Sequence, residues 1–314
     1  MGVSVSAMQL YAICALLVAI DFAARTWRMQ LFLRALGRSV PFHEVLLQSF
    51  VSEAASVLTP MRIGGDPARV WAMRQGGLSI TAGVVCIAIE TLAMAAIILV
   101  VTLALLLTIG RSWWATVGPR LVESLSDAGP WLLAIVVASV VSWLIARRVA
   151  PETRTMLRRE MRSVRRYARV VPAWAYAAAV PLTLVNIAAR VAVLPLLVST
   201  LPSPPPLLAT IVGSYALLYG QLLTPTPAGA GAVELLFLGG GAGELGAAEG
   251  RLLFLWRLFT AGIPLVIGIA AAVLHYGLGV FGRPLLARRM RPRARHAEQM
   301  AAGTPPPRAE NDAA

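Results

Sequence analysis

The chain has 314 residues, of which 58% are hydrophobic and only 14% charged, with a mean hydropathy of +0.72; soluble domains carry about 25% charged residues, so an ordinary soluble fold is excluded. All 28 basic residues are arginines and the net charge is +13, yet nine of them crowd between Arg147 and Arg169 and six between Arg283 and Arg295, the bias of cytoplasmic loops rather than a nucleic-acid footprint. Two cysteines in apolar spans and three scattered histidines supply neither a disulfide framework nor metal-ligand spacing.

The first apolar run, Met8 to Leu33, is long enough to cross the hydrocarbon core. It lacks the basic start and small-residue cleavage site of a signal peptide, so it reads as a retained span. Asp21 and Arg25 lie one turn apart on it and can pair. His43 to Gln75 is then interrupted by "LTPMRIGGDPAR", Leu58 to Arg69. Pro60 stops a helix, Thr59 can cap locally, Gly64 and Gly65 can turn the chain, and Asp66 with Pro67 resembles an N-cap and first helical residue. This stretch is predicted to be a re-entrant helical hairpin.

Ile80 to Ile109 forms the next long span and carries Glu90; Trp131 to Ile145 is a shorter one. The basic block from Arg147 is expected to lie as a surface helix against anionic lipid. Val171 to Thr200, with Arg190, is a further span. Leu207 to Gly250 contains a second break, "LTPTPAGAGAVE" from Leu223 to Glu234, with Pro225, Pro227, Gly229 and Gly231 as its geometric residues. Leu252 to Tyr276, with Arg257, returns to a basic and then disordered tail at 278–314.

The two breaks correspond at a constant offset of 165 residues. Leu58, Thr59, Pro60 and Gly64 align with Leu223, Thr224, Pro225 and Gly229, and Asp21 and Arg25 with Asn186 and Arg190. Placing the first basic block in the cytoplasm and counting outward gives five crossings plus two hairpins, with the N-terminus outside and the C-terminus inside. The halves then point in opposite directions, as in many transporters. The expected fold is an all-α polytopic membrane protein with two inverted-topology repeats, each holding a Pro/Gly-broken re-entrant hairpin. Its membrane domain covers 1–277: repeat one at about 6–109, a linking span and basic cytoplasmic segment at 131–170, and repeat two at about 171–276.

Backbone that leaves helical geometry in a membrane is tolerated only against protein or a wet cavity, and charges within spans face the same restriction. Arg62, Asp66 and Arg69 at the first break, and Glu234 at the second, are therefore candidates to line a polar path. For Arg62 and Arg69 the alternative is local pairing with Asp66 or Glu53; for Asp66 it is a capping role. Arg25, Glu53, Glu90, Arg190 and Arg257 are candidates for substrate contact or gating, with interhelical pairing as the alternative. Arg190 reads as a freer cation than Arg25, because the position equivalent to Asp21 is the neutral Asn186. There is no GxxxxGKS/T, HExxH or GxSxG pattern, so no enzyme, cofactor or metal is expected.

The stretch "RALGRSVPFHEVLLQSFVSEAASVLTPMRIGGDPARVWAMRQGG", the glutamate of "CIAIE", and "LLTPTPAGAGAVELLF" with "LLFLWRLFTAGIP" together resemble the flippase-like membrane family related to the lysylphosphatidylglycerol synthase membrane region. The resemblance runs from about residue 8 to residue 276 and is most specific at the two breaks. It implies a protein of the bacterial inner membrane that moves a phospholipid or a polyprenyl- or hopanoid-type lipid between leaflets. By motif match, Arg62, Gly64, Gly65, Asp66, Arg69, Glu90, Gly229, Gly231, Glu234 and Arg257 carry the pattern, although Met61 and Arg62 stand where relatives often have a Pro- and Gly-rich turn. The family's soluble aminoacyl-transferase domain is missing from this chain, which argues against lipid aminoacylation by it. The other classes the sequence leaves open are a small-solute secondary transporter, a membrane-embedded lipid-modifying enzyme and a structural membrane partner protein.

Overall fold

The computed structural model describes residues 7–111, 114–115, 118–119, 171–224, 226–238 and 245–277. The expected span Trp131 to Ile145, the basic block Arg147 to Arg169, the tail from 278 and Pro225 lie outside them. Among the described residues the fold is helical, and the only extended pairing is an isolated bridge. Four helical segments are long and apolar enough to cross a membrane: Ala7–Ala35, Ile80–Gly110, Ala173–Val198 and Gly246–Tyr276.

Helix α1, Ala7–Ala35, ends where Gly37 takes a left-handed φ of 72° and the Arg38 amide donates back to the Leu33 carbonyl, an arrangement that suits glycine because it has no Cβ to clash. Helix α2, Phe42–Leu58, stops because Thr59 precedes a proline and is driven into extended backbone. After the turn, α3 spans Gly65–Gln75. Ser79, whose hydroxyl accepts the Ala82 amide, then starts α4, Ile80–Leu105, which ends in a π turn at Leu106–Gly110. The second half runs through α5, Ala173–Val198, α6, Leu207–Gly220, and the short α7, Ala232–Leu236. It continues as α8, Glu249–Arg257, a π turn at Leu258–Gly262, and α9, Ile263–Tyr276.

The long helices α1 and α5 pack antiparallel. Phe32 meets Tyr176 edge-on with centroids 5.7 Å apart, the Arg28 guanidinium reaches Thr183 at 3.3 Å, and Asp21 bonds Asn186. One end of this pair is a dry cluster in which Leu10 and Cys14 join Leu194, Leu197, Leu217 and Trp256. The other end is a second dry cluster, where Met29 and Phe32 join Val45, Met73, Ile89 and Ala175. Between the two clusters α1 and α5 bring Asp21, Arg25, Arg28, Asn186 and Arg190, so the polar layer is held between two apolar ones.

Glycine sets the closest helix approaches. A Cβ at Gly268 of α9 would stand 2.3 Å from the Phe50 carbonyl oxygen of α2, so the two backbones touch. Ala272 to Tyr276, the end of α9, belongs to a second contact unit; within it the His275 and Tyr276 rings meet edge-on at 4.7 Å.

Candidate functional site

The first break is built differently from the sequence expectation. Gly64 has an ordinary helical φ of −71°, and the left-handed residues are Met61 at 50° and Arg62 at 59°. The glycines are needed for close approach instead: a Cβ at Gly65 would lie 2.1 Å from the Ser56 hydroxyl, and one at Gly64 2.6 Å from the Thr59 side chain. Thr59 does cap, accepting the Gly64 amide at 2.8 Å and donating to the Ala55 carbonyl. Asp66 is not the N-cap; that position is Gly64, and Asp66 and Pro67 sit within the first turn of α3, where a carboxylate complements the helix dipole.

The second break does use glycine for conformation, with Gly229 at φ 70° and Gly231 at φ 87°. The two breaks touch. Pro60 and Pro227 form an antiparallel bridge, and the Met61 amide donates to the Thr224 carbonyl at 3.2 Å. That bond holds Met61 in its strained conformation, which an L residue adopts only at a cost.

Beside this junction is a cavity of about 580 Å³, within the size range of pockets that take small molecules. Five arginines reach its wall: Arg25 and Arg28 from α1, Arg62 from the break, Arg69 from α3 and Arg190 from α5. Two buried carboxylates organise them. Glu53 of α2, its side chain 3% exposed, receives Arg25 and Arg62 at 2.5 Å each and Arg190 at 3.3 Å. Glu90 of α4, 1% exposed, receives Arg28 at 2.8 Å and Arg69 at 2.6 Å. Asp66 is half exposed and 3.8 Å from Arg69. Behind the wall, Asp21 takes a second bond from Arg25 and one from Asn186. Ser49, Ser52 and Ser56, on one face of α2, add hydroxyls to the same wall.

Apolar residues line the cavity as well. Beyond Glu90 and Thr91, α4 borders it with Met94, Ile98 and Leu99, and the same stretch carries Leu99, Val100 and Leu103, all exposed. A cavity that holds a charge cluster and borders an exposed apolar stretch of helix is amphipathic in the way a lipid is.

Seven of the sequence-selected residues thus meet around one cavity: Arg25, Glu53, Arg62, Asp66, Arg69, Glu90 and Arg190. Glu234 and Arg257 form a separate unit. Arg257 donates to Glu234 at 2.6 and 2.9 Å and to the Ala228 carbonyl at 2.6 Å, while Glu234 accepts the Gly231 amide; the pair staples the second break. Arg190 is not unpaired, because Glu53 comes to it from another helix. Arg28 was not singled out by the sequence, although it lies three residues after Arg25 and is among the most buried side chains. Asn186, Tyr219 and Gln221 also reach the cavity wall unforeseen.

Residues 2–287 match the family model described as the lysylphosphatidylglycerol synthase TM region. The chain belongs to that family. No curated protein matches it at a significant level. Family and spans together establish a multi-pass membrane protein connected with lipid biology.

Proposed function

We propose that this protein moves a lipid, or a lipid-linked molecule, between membrane leaflets without ATP. The observation carrying this reading is the 580 Å³ cavity lined by five arginines and bordered by the exposed apolar stretch of α4 that follows Glu90. A headgroup can enter the polar side while its chains stay against α4 in lipid. The main barrier to lipid crossing is desolvation of the headgroup, and replacing water by fixed guanidinium and hydroxyl donors lowers it without covalent chemistry.

The antiparallel packing of α1 on α5, and the bridge between the breaks, support two inverted repeats whose re-entrant hairpins enter from opposite faces and meet at the midplane. In this reading the chain makes five crossings of the bacterial inner membrane, with the N-terminus outside and the C-terminus cytoplasmic. It is not an enzyme, uses no cofactor and binds no nucleic acid; its partners are the transported phospholipid, polyprenyl- or hopanoid-type lipid and, at the basic cytoplasmic segments, anionic lipid. The test is reconstitution of the full chain into vesicles holding lipids labelled in one leaflet. Leaflet exchange faster than in protein-free vesicles is expected; equal rates across all three lipid types would reject the proposal.

A further inference from the structure

Glu53 is an unusual partner for three cations. Its one carboxylate is approached by Arg25, Arg62 and Arg190, which arrive from three separate parts of the chain: α1, the first break and α5. A single carboxylate has two oxygens and one charge, so it cannot satisfy three forks with bidentate geometry. The remainder is visible: Arg62 Nη1 and Arg25 Nε are buried with no acceptor. Asp21 relieves only Arg25. Of the guanidiniums on this cavity, Arg62 is nine-tenths buried and still incompletely bonded, an arrangement costly for a protein to keep unless a ligand completes it.

We infer that the Arg25, Arg62 and Arg190 cluster is a phosphate-binding site, and that Glu53 occupies it as a built-in anion when no ligand is present. A tetrahedral phosphate offers three or more oxygens around one centre, which matches three converging guanidiniums better than a planar carboxylate does. Ser52 and Ser56, on the same wall as Glu53, can donate to a further oxygen. The ligand displaces Glu53 from part of its cation shell rather than entering an empty site. Exchange between two anions leaves the arginines with an anionic partner at every stage, so the site can release its ligand as well as take it. This deepens the lipid reading and rests on it for the source of the phosphate, while the site itself can be measured without transport.

The experiment is equilibrium binding to the full chain purified in an uncharged detergent. Its probes are inorganic phosphate, dioctanoyl phosphatidic acid and dioctanoylglycerol, the last having the same chains and no phosphate. Saturable binding of at least one phosphate compound is expected, with none for dioctanoylglycerol. Glu53→Gln should tighten that binding about tenfold by removing the competitor, and Arg62→Ala should weaken it about tenfold. Tighter binding of the phosphatidic acid than of inorganic phosphate assigns the source to a lipid headgroup, and equal binding assigns it to the free ion. If Glu53→Gln is too unstable alone, purification and melting in phosphate should restore it by a larger shift than wild type shows, and Glu53→Asp should give an intermediate tightening. Unchanged or weaker binding by both Glu53 variants, absence of the phosphate rescue, or equal binding of dioctanoylglycerol would overturn the inference. Leaflet exchange that persists in wild type while phosphate binding is absent sinks this site and leaves the transport reading standing; the reverse pattern does the opposite.

Discussion

Asn186 donates a hydrogen bond to Asp21, and the two residues are separated by 165 positions, the same interval that aligns one "LTP" break with the other. Equivalent residues of two repeats touch where a local two-fold axis passes between them. In the proposed inverted-repeat reading, the axis relating the halves passes at this bond, within the polar layer.

Asn186→Ala removes one donor from a buried carboxylate that keeps Arg25. The expected loss of stability is about 1–2 kcal/mol, in the range of hydrogen bonds to charged groups and near the upper end seen between membrane helices. Asn186→Asp, which sets two carboxylates together, should lose more. Unfolding of the detergent-solubilised protein measures both, and equal stability of the two variants would contradict the contact.

Arg28 and Arg190 should separate structure from transport. Arg28 is 2% exposed and joins Glu90 and Thr183; Glu90 keeps Arg69, but Arg28→Ala empties a fully buried site and should cost roughly 2–5 kcal/mol, the range of large-to-small core truncations. Arg190 holds Glu53 at the longer distance of 3.3 Å, beside two closer arginines. Arg190→Ala is expected to keep its melting temperature within a few degrees while slowing leaflet exchange at least tenfold. Melting curves and exchange rates on matched amounts of protein decide the matter.

Gly65→Ala should destabilise by roughly 1–3 kcal/mol, the usual range for overpacking. Because the obstructing atom is the Ser56 hydroxyl, the double variant Gly65→Ala with Ser56→Ala should recover most of the loss. Gly268→Ala meets backbone at Phe50, which no side-chain truncation relieves. A recovery of both, or of neither, in thermal unfolding would show that these helix contacts are misassigned.

Bridged residues on antiparallel chains have Cα atoms about 4.5–5.5 Å apart, a spacing that suits a disulfide. Pro60→Cys with Pro227→Cys should therefore cross-link on mild oxidation, while native Cys14 and Cys86 are buried. If the breaks part during transport, the oxidised protein should stop exchanging lipid and recover with reductant. Full exchange by the cross-linked form would mean that they stay together.

Much of the scaffold was legible because it rests on local chemistry. Long, mostly apolar runs marked α1, α4, α5 and the last span, and Pro60 with its threonine marked the first interruption. The Asp21 and Arg25 pair follows from helical spacing alone. The charge network was less accessible, since its partners meet from afar: Arg28 finds Glu90 across 62 residues and Arg190 finds Glu53 across 137. Arg190 is freer than Arg25, as its own helix suggests, but its acidic partner, Glu53, lies beyond what that helix can reveal. The turn was assigned to Gly64 and Gly65 because glycine is the usual left-handed residue, but the amide of Met61 is committed to Thr224, and that distant bond moves the turn onto Met61 and Arg62.

The same bond has a consequence for biogenesis. In the proposed re-entrant arrangement, when the first half of the chain has been made and inserted, the carbonyl that Met61 requires does not yet exist, and a bare amide in hydrocarbon costs several kcal/mol. Translation at about 5–20 residues per second leaves this interval on the order of ten seconds. During it the nascent first hairpin depends on water or on the insertion machinery for its missing acceptor. The first half is thus completed only when the second arrives, and an N-terminal fragment ending before Thr224 should be recognised and degraded as an unfinished protein, which a pulse-chase of the truncated chain would measure.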